Sequence, residues 1–344
     1  MNQMRQARYK VAVIGGGTGL PVILRGLKKL DANITAIVTV ADDGGSSGVI
    51  RDYINVVPPG DIRNCMSALS EADPVLLELF QYRFNTDDDF LAGHAIGNLL
   101  IAALKEMKGS LSEAIDILSQ FMNINGQILP AAPEPLILQA LFEDGTIAVG
   151  ESKIAHHRKR IQEVNVMTIE GKPAVKASSR VVEAIMEADL IVLGPGSLYT
   201  SILPNLMIDE IGQAISKTNA QVVYICNIMT QLGETENFTD ADHIEVLHNH
   251  LGVRFVDTVL VNTTEVPKEY IINQPNKEYL LQVKHDFNGL RRLGCRVISS
   301  EFLSMKEGGA YHDTDKVVEE LGHLLNSVRL LDKNSSDSNK HSVL

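Results

Sequence analysis

The chain has 344 residues, of which 44% are hydrophobic, and this is enough to bury a large core. Acidic residues outnumber basic ones by 43 to 31, and the formal net charge of -12 opposes binding to a nucleic-acid backbone. No apolar stretch approaches the roughly 20 residues that a membrane-spanning helix needs, and no apolar signal segment precedes the first predicted strand. We therefore expect a cytoplasmic protein that neither binds nucleic acid nor inserts into a membrane.

A strand, a glycine loop and a helix follow one another at the start of the chain. Residues 11–14 are an unbroken apolar run typical of a strand buried in a parallel sheet, and residues 20–30 carry apolar side chains at helical spacing. Free backbone N–H groups at such a helix start, without side chains in the way, bind a phosphate or diphosphate. The candidate ligand-binding residues are Gly15, Gly16, Gly17, Thr18 and Gly19.

Two alternatives limit this first interpretation. Leu20 stands where the dinucleotide fingerprint Gly-x-Gly-x-x-Gly has its third glycine, and no Gly-Lys-Ser/Thr of a Walker loop follows. The glycines can also make a tight strand-to-helix turn without any ligand. Phosphate binding is favoured because the loop lies between a buried strand and a helix.

A second predicted strand, residues 34–40, runs into a loop with acids and hydroxyls. Asp42 and Asp43 can accept from a ribose hydroxyl or hold Mg²⁺ on a diphosphate, and an Asx turn is the competing interpretation, for Asp43 in particular. Ser46 and Ser47 add hydroxyl groups that suit an anion. Both loops follow the carboxyl ends of strands, which is the ligand-binding edge of an open parallel sheet.

Two further motifs introduce helices. Asp61 is placed to cap a helix that runs to about residue 70, and Arg63 can hold a phosphate with its fork or form a surface ion pair. His94 precedes another apolar helix, where it acts as a neutral hydrogen-bonding group to a ligand or is satisfied by backbone. Asn64 and Asn98 complete these motifs as candidate ligand-binding residues.

A second glycine loop follows the predicted strand 190–193. If the segment is helical, Ser197 and Ser201 share one face of the helix. The loop can then bind the other end of a diphosphate. The alternative interpretation is a capped helix start without a ligand. The loop's candidate ligand-binding residues are Gly194, Pro195, Gly196, Ser197 and Ser201. The next strand, 221–226, is followed by the candidates Asn227 and Thr230.

Other polar residues predict no site. The three cysteines form no Cys-x-x-Cys pair, so neither a disulfide framework nor a zinc site is indicated. The basic run 156–160 has no interleaved aromatic residues and favours a solvated loop. His243, His248 and His250 lack the spacing of a metal-ligand pair on the helix 240–251, which favours surface positions.

The alternation of strands and helices predicts an α/β protein. We expect one Rossmann-like domain over residues 1–332, with a mostly parallel sheet and helices on both faces. Residues 126–176 form a small β-rich excursion, because three prolines interrupt the pattern and short strand-like runs replace the helices. Residues 333–344 are rich in Ser, Asn and Asp and are expected to be disordered.

Together, the motifs resemble one family over residues 9 to about 330. The chain is similar to the bacterial gluconeogenesis factors, YvcK-like proteins, and more distantly to the phospholactate transferases of deazaflavin cofactor synthesis, CofD-like proteins. The motifs that carry the resemblance are 15–19, 42–48, 60–64, 93–98, 194–205 and 226–234.

This resemblance implies a Rossmann-like core and a UDP-sugar ligand such as UDP-N-acetylglucosamine. It also implies a role in cell shape and cell-wall precursor supply during growth on gluconeogenic carbon sources. The partner implied is the amidotransferase that starts hexosamine synthesis. Apart from the resemblance, a homo-oligomer is kept as a hypothesis, since the sequence does not give the oligomeric state.

Three functional hypotheses follow from these observations. The first is a regulatory protein whose glycine loops hold a diphosphate, with Asp42 or Asn227 directed to nucleoside or sugar hydroxyls. The second is a transferase in which Asp42 or Asp43 holds Mg²⁺ while an acceptor alcohol attacks phosphorus. The scarcity of aromatic residues, 5% with no Trp, disfavours the stacking of a deazaflavin. The third, a nicotinamide dehydrogenase, is disfavoured by Leu20.

Overall fold

The computed structural model describes residues 9–44, 57–84, 93–172, 175–272, 279–306 and 309–340. Its centre is a seven-stranded parallel sheet. With all strands numbered in chain order, its members are β1 (Tyr9–Gly15), β2 (Ala32–Val38), β3 (Gln127–Pro130), β7 (Leu190–Leu193), β8 (Gln221–Ile225), β10 (Thr258–Asn262) and β12 (Arg296–Ser300). The order across the sheet is β12-β10-β8-β7-β1-β2-β3, and every neighbouring pair is parallel.

Helices surround this sheet and confirm the predicted α/β fold. The first helix, Gly19–Leu27, buries its apolar stripe as its spacing predicts, because both faces of the sheet need covering. The helices are α1 (Gly19–Leu27), α2 (Pro59–Leu69), α3 (Pro74–Gln81), α4 (Ile96–Lys108), α5 (Leu111–Phe121), α6 (Glu151–Ile154), α7 (Ser179–Met186), α8 (Leu203–Leu206), α9 (Asp209–Lys217), α10 (Asp240–Leu251), α11 (Lys268–Ile272), α12 (Phe287–Arg292) and α13 (Thr314–Lys340).

The region 126–176 contributes to two sheets. Its first strand, β3, pairs with β2 at the edge of the main sheet. The next strands, β4 (Leu136–Phe142), β5 (Ile147–Val149) and β6 (Ile161–Thr168), form a separate antiparallel sheet in the order β5-β4-β6. The strand-like runs of the sequence therefore form strands.

Two small antiparallel pairs lie at the C-terminal side of the chain. One joins β9 (Met229–Gln231) to β11 (Tyr279–Gln282), and the other is the hairpin β13 (Leu303–Lys306) and β14 (Gly309–His312). Strands of three or four residues are too short for a period-two pattern, and the sequence analysis does not predict them.

Helix α13 continues past residue 332, where the sequence analysis starts a disordered tail, and ends at Lys340. Residues 341–344 lie outside the described part, and the disorder of the tail stays a prediction. Among the described helices, none is long and apolar enough to cross a membrane.

The surface assignment of the α10 histidines is wrong for two of them. His243 and His248 are buried, and burial lowers the pKa of His243 below its ordinary value and that of His248 to about 4. Both are therefore neutral at pH 7. The His243 Nδ1 atom hydrogen-bonds the Thr239 carbonyl at 2.8 Å, and the Val256 N–H donates to His248 Nε2 at 3.3 Å. These histidines stabilise the packing of α10.

Candidate functional site

The two glycine loops meet at the carboxyl edge of the sheet. Strands β1 and β7 are direct neighbours, and the Gly194 N–H donates to the Ile14 carbonyl at 3.1 Å. The loops approach so closely that a Cβ placed on Gly19 would lie 2.5 Å from the Pro195 carbonyl oxygen. Gly17 and Gly194 have φ values of +65° and +82°, a left-handed backbone that favours glycine. The predicted juxtaposition of the loops is confirmed.

The Asp61 carboxylate, on helix α2, holds the first glycine loop by a hydrogen bond. The sequence analysis assigns it as a helix cap, but α2 begins at Pro59 and its cap position, Pro58, makes no side-chain capping bond. Instead the Gly17 N–H donates to Asp61 Oδ2 at 2.6 Å. The assignment of Asp61 as a helix cap is therefore wrong. Because the Gly17 N–H is already engaged, the N–H groups that bind a phosphate have to come from other residues of the loop.

Acidic side chains lie close to the loops. Burial, and next the charge of Asp42, raise the pKa of Glu151 to about 9, and burial raises the pKa of Asp61 to about 6. The Asx turn foreseen for this region forms at Asp42, whose Oδ1 accepts from the Gly44 N–H at 2.8 Å. Asp43 Oδ1 accepts from the Ser152 N–H at 2.9 Å. Each predicted metal ligand thus holds a backbone group.

These acids do not by themselves fit a metal ion. Within the described ranges, no group of three histidine, cysteine or carboxylate side chains is arranged to hold one. Mg²⁺ at Asp42 and Asp43 stays a prediction, and no chemical step is derived through it.

Glu151→Gln should make the stability of the ligand-free protein less sensitive to rising pH. Folding raises the pKa of Glu151 from 4.5 to about 9, so the folded state keeps a proton that the unfolded state releases. Its contribution is full below pH 4.5 and is lost as the pH rises to about 9. Urea unfolding at pH 5 and pH 8, with EDTA present, measures the difference.

The exposed Glu183 supplies the control variant, Glu183→Gln. The same loss of stability between pH 5 and pH 8 in both variants would contradict the assignment of a proton to the partly buried Glu151.

The second loop opens a π-helix, Leu198–Ile202. Ser197 caps it, since its Oγ accepts from the Thr200 N–H at 3.2 Å, and the same hydroxyl donates to Glu234. The capped start, left open as an alternative, is therefore present. Ser201 faces the first loop, because a Cβ on Gly17 would lie 3.4 Å from its Oγ.

A cleft of about 800 Å³ lies between the loops and the C-terminal strands. This is within the size range of small-molecule sites. The predicted residues that line it are Gly17, Thr18, Gly19, Pro195, Gly196, Ser197, Ser201 and Asn227. Asn227 also supports the second loop, since its Nδ2 donates to the Gly196 carbonyl at 2.9 Å.

Other predicted residues lie elsewhere. Gly15 and Gly16 are buried under the first loop, and Gly194 underlies the second. The Thr230 hydroxyl exchanges hydrogen bonds with the backbone of Leu281. Three predicted residues are buried and do not line the cleft: Arg63, and His94 and Asn98 around the start of α4. Asn64, next to Arg63, is partly buried and does not line the cleft either. Ser46 and Ser47 lie outside the described residues.

The cleft also has lining residues that the sequence does not reveal. They include Glu151, His156, Arg158, Glu234, Tyr270, Tyr311 and His312. Burial lowers the pKa of His312 to about 4, so His312 is neutral, and its Nε2–H donates to the Cys226 carbonyl at 3.0 Å. The ring therefore presents Nδ1 as an acceptor. Tyr270, Tyr311 and His312 lie in elements of four or five residues, which are too short to give a periodic sequence signal.

Among the described residues that line the cleft, Arg158 is the one Lys or Arg. It has a left-handed backbone, with φ of 49° and ψ of 37°, which is uncommon for a residue with a side chain. Its neighbours are ion-paired: Lys159 with Asp144 at 2.7 Å and Arg160 with Glu143 at 3.2 Å. Arg158 is exposed like Arg160, as the predicted solvated loop requires, and it also borders the cleft.

Known proteins match this chain over nearly its whole length. Residues 11–303 match the family described as 2-phospho-L-lactate transferase CofD. A Streptococcus pneumoniae protein named "Putative gluconeogenesis factor" is 53% identical over 317 residues, 92% of this chain and 98% of its own. The "Gluconeogenesis factor" of Listeria innocua is 51% identical over 317 residues, 92% and 96% of the two chains. The crystal structure of protein BH3568 from Bacillus halodurans is 43% identical, with a TM-score of 0.86, covering 91% of this chain and 98% of that one.

Proposed function

Since the chain belongs to the CofD family, and within it to the proteins named gluconeogenesis factors, we propose that it is a regulatory protein that binds a nucleotide sugar of the UDP-N-acetylglucosamine kind. The observation that carries this proposal is the contact of two glycine loops at one sheet edge, beside a single cleft. Helix starts at such an edge favour a diphosphate.

Charge supports the same ligand class. A diphosphate brings negative charge into a cleft that already holds Glu234 and Glu151, so it needs a cation or strong hydrogen-bond donors. The proton that Glu151 keeps at pH 7 lowers this repulsion. Arg158 supplies the cation, and the Ser201 hydroxyl, facing Gly17, supplies a donor.

Calorimetric titration of the purified protein with UDP-N-acetylglucosamine, UDP and NAD, with and without Mg²⁺, tests the proposal. Binding of the UDP-sugar without a need for Mg²⁺, lost in Gly17→Val, is the expected result. Valine at φ of +65° costs about 1–2 kcal/mol of backbone strain and distorts the loop. No binding of any UDP compound would contradict the proposal, and tight NAD binding alone would revive the dehydrogenase hypothesis.

The second candidate function is a phospholactate-type transferase, which the family match favours. Mg²⁺, when bound, would neutralise the diphosphate. The acceptor alcohol would attack the phosphorus that carries the lactyl group, the bridging P–O bond would break, the nucleoside monophosphate would leave, and the alcohol proton would pass to solvent. Turnover of a phospholactyl nucleotide with a deazaflavin acceptor by the purified protein would favour this reading over the regulatory one.

The physiological part of the proposal rests on the family relation. It comprises a role in cell shape and cell-wall precursor supply on gluconeogenic carbon sources, and contact with the hexosamine-synthesis amidotransferase. Homo-oligomer formation is a separate proposal that does not rest on this relation. Loss of rod or coccal shape in a deletion strain only on such carbon sources, rescued by the wild-type chain and not by Gly17→Val, would support it.

A further inference from the structure

Arg63 is a buried cation with unsatisfied donors. Its side chain is 4% exposed, and its Nη2 donates to the neutral Asn64 Oδ1 at 2.7 Å. Nε and Nη1 are buried and have no hydrogen-bond partner in the described structure. Burying a guanidinium without a counter-charge costs free energy. These two unpaired N–H donors therefore indicate a bound group that accepts hydrogen bonds from them.

Among the described residues, a second arginine adds positive charge near Arg63. Besides burial, the charge of Arg83 is the main reason why the pKa of Arg63 falls to about 10. The Arg63 stem crosses the first turn of α4, because a Cβ on Gly97 would lie 2.9 Å from Arg63 Cγ. This 13-residue helix has no acidic residue in its first turn, so the partial positive charge of its N-terminus is not offset there.

Asp61 is the carboxylate that opposes these charges. Its Oδ2 is engaged by the Gly17 N–H at 2.6 Å, and no ion pair within 4.0 Å joins it to Arg63 in the described ranges. Its effect on the pKa of Arg63 is smaller than that of Arg83. The balance around the guanidinium therefore favours an added anion.

We propose that Arg63, Arg83 and the N-terminus of α4 form a second anion-binding site, which takes a phosphate group. Neither arginine lines the glycine-loop cleft, so this site goes beyond the proposed nucleotide-sugar function. Arg83 is exposed and gives an approach from solvent, while Arg63 is the buried end. Nε and Nη1 are donors of one planar guanidinium, whose fork geometry suits hydrogen bonds to the oxygens of a phosphate. Free phosphate and the phosphoryl group of a small metabolite share this chemistry.

Thermal unfolding of the full chain at constant ionic strength tests the site. Inorganic phosphate and glycerol 3-phosphate serve as separate probes, and chloride replaces them in the reference. The midpoint of wild type should rise with at least one probe, since a ligand of the folded state stabilises it. Arg63→Met should lose this rise. Arg180→Met, which removes an arginine paired with Asp116 at 2.9 Å, should keep it.

Three outcomes are separable. If neither probe changes the unfolding midpoint of the wild type, water alone satisfies the N–H donors of Arg63, and the proposal is overturned. A rise that persists in Arg63→Met but disappears in Arg158→Ala places the anion in the cleft and also overturns it. If Arg63→Met does not fold, the exposed Arg83→Met takes its place, and an unchanged response there counts against the site. The probe with the larger effect distinguishes free phosphate from a phosphorylated metabolite.

Discussion

Gly19→Ala should lower the affinity for UDP-N-acetylglucosamine at least tenfold. The new Cβ would lie 2.5 Å from the Pro195 carbonyl oxygen and 3.0 Å from the carbonyl carbon, both backbone atoms. Relief requires the two glycine loops to separate, which widens the site that both of them form. Overpacking of this kind costs about 1–3 kcal/mol of folding free energy. Calorimetry measures the affinity, and urea unfolding measures the stability.

Gly322→Ala is the matched control. It lies in α13, away from the cleft, and its Cβ would make an ordinary contact of 3.4 Å with Leu30. Alanine favours a helix over glycine by about 1 kcal/mol, so this variant should be as stable as wild type or more so. Unchanged affinity in Gly19→Ala, with its structure intact, would show that loop contact is not needed for binding.

Arg158→Ala should weaken the binding of UDP-N-acetylglucosamine and UDP by about 10–100-fold, yet leave the binding of uridine unchanged. A hydrogen bond to a charged group contributes about 1.5–3 kcal/mol, and uridine has no diphosphate for the guanidinium to hold. Arg158 is a cation of the described cleft lining, so the loss should fall on phosphate-bearing ligands alone. Isothermal titration with the three ligands gives the comparison.

The adjacent arginine provides the control. Arg160 is paired with Glu143 on the surface, and surface pairs contribute little, about 0–1 kcal/mol. Arg160→Ala should therefore bind all three ligands as wild type does. Equal losses for uridine and UDP in Arg158→Ala would indicate a distorted cleft and contradict a role in holding the diphosphate.

The strands and the two glycine loops are predictable from the sequence because their signals are local. An unbroken apolar run such as residues 190–193 indicates a strand buried on both faces, and parallel strands place their following loops on one edge. The contact between Gly19 and Pro195 then follows from the sheet order, in which β1 and β7 are neighbours.

Residues that act across the fold are not predictable in this way. Asp61 looks like a helix cap, since nothing local reports that its carboxylate reaches Gly17. Arg158 looks like the other members of its basic run, and nothing local reports that it borders the cleft. His243 follows the polar face of a helix pattern but is buried because α10 packs on further elements.

The position of β1 between β2 and β7 has a consequence for the chain during its synthesis. Val11 pairs with Ile34, made shortly afterwards, and with Leu190, made only when more than half of the chain exists. Until then one hydrogen-bonding edge of an apolar strand stays open, which is a template for wrong pairing. The two glycine loops meet only when β7 docks. A ligand that needs both loops therefore cannot stabilise the nascent chain before this late step.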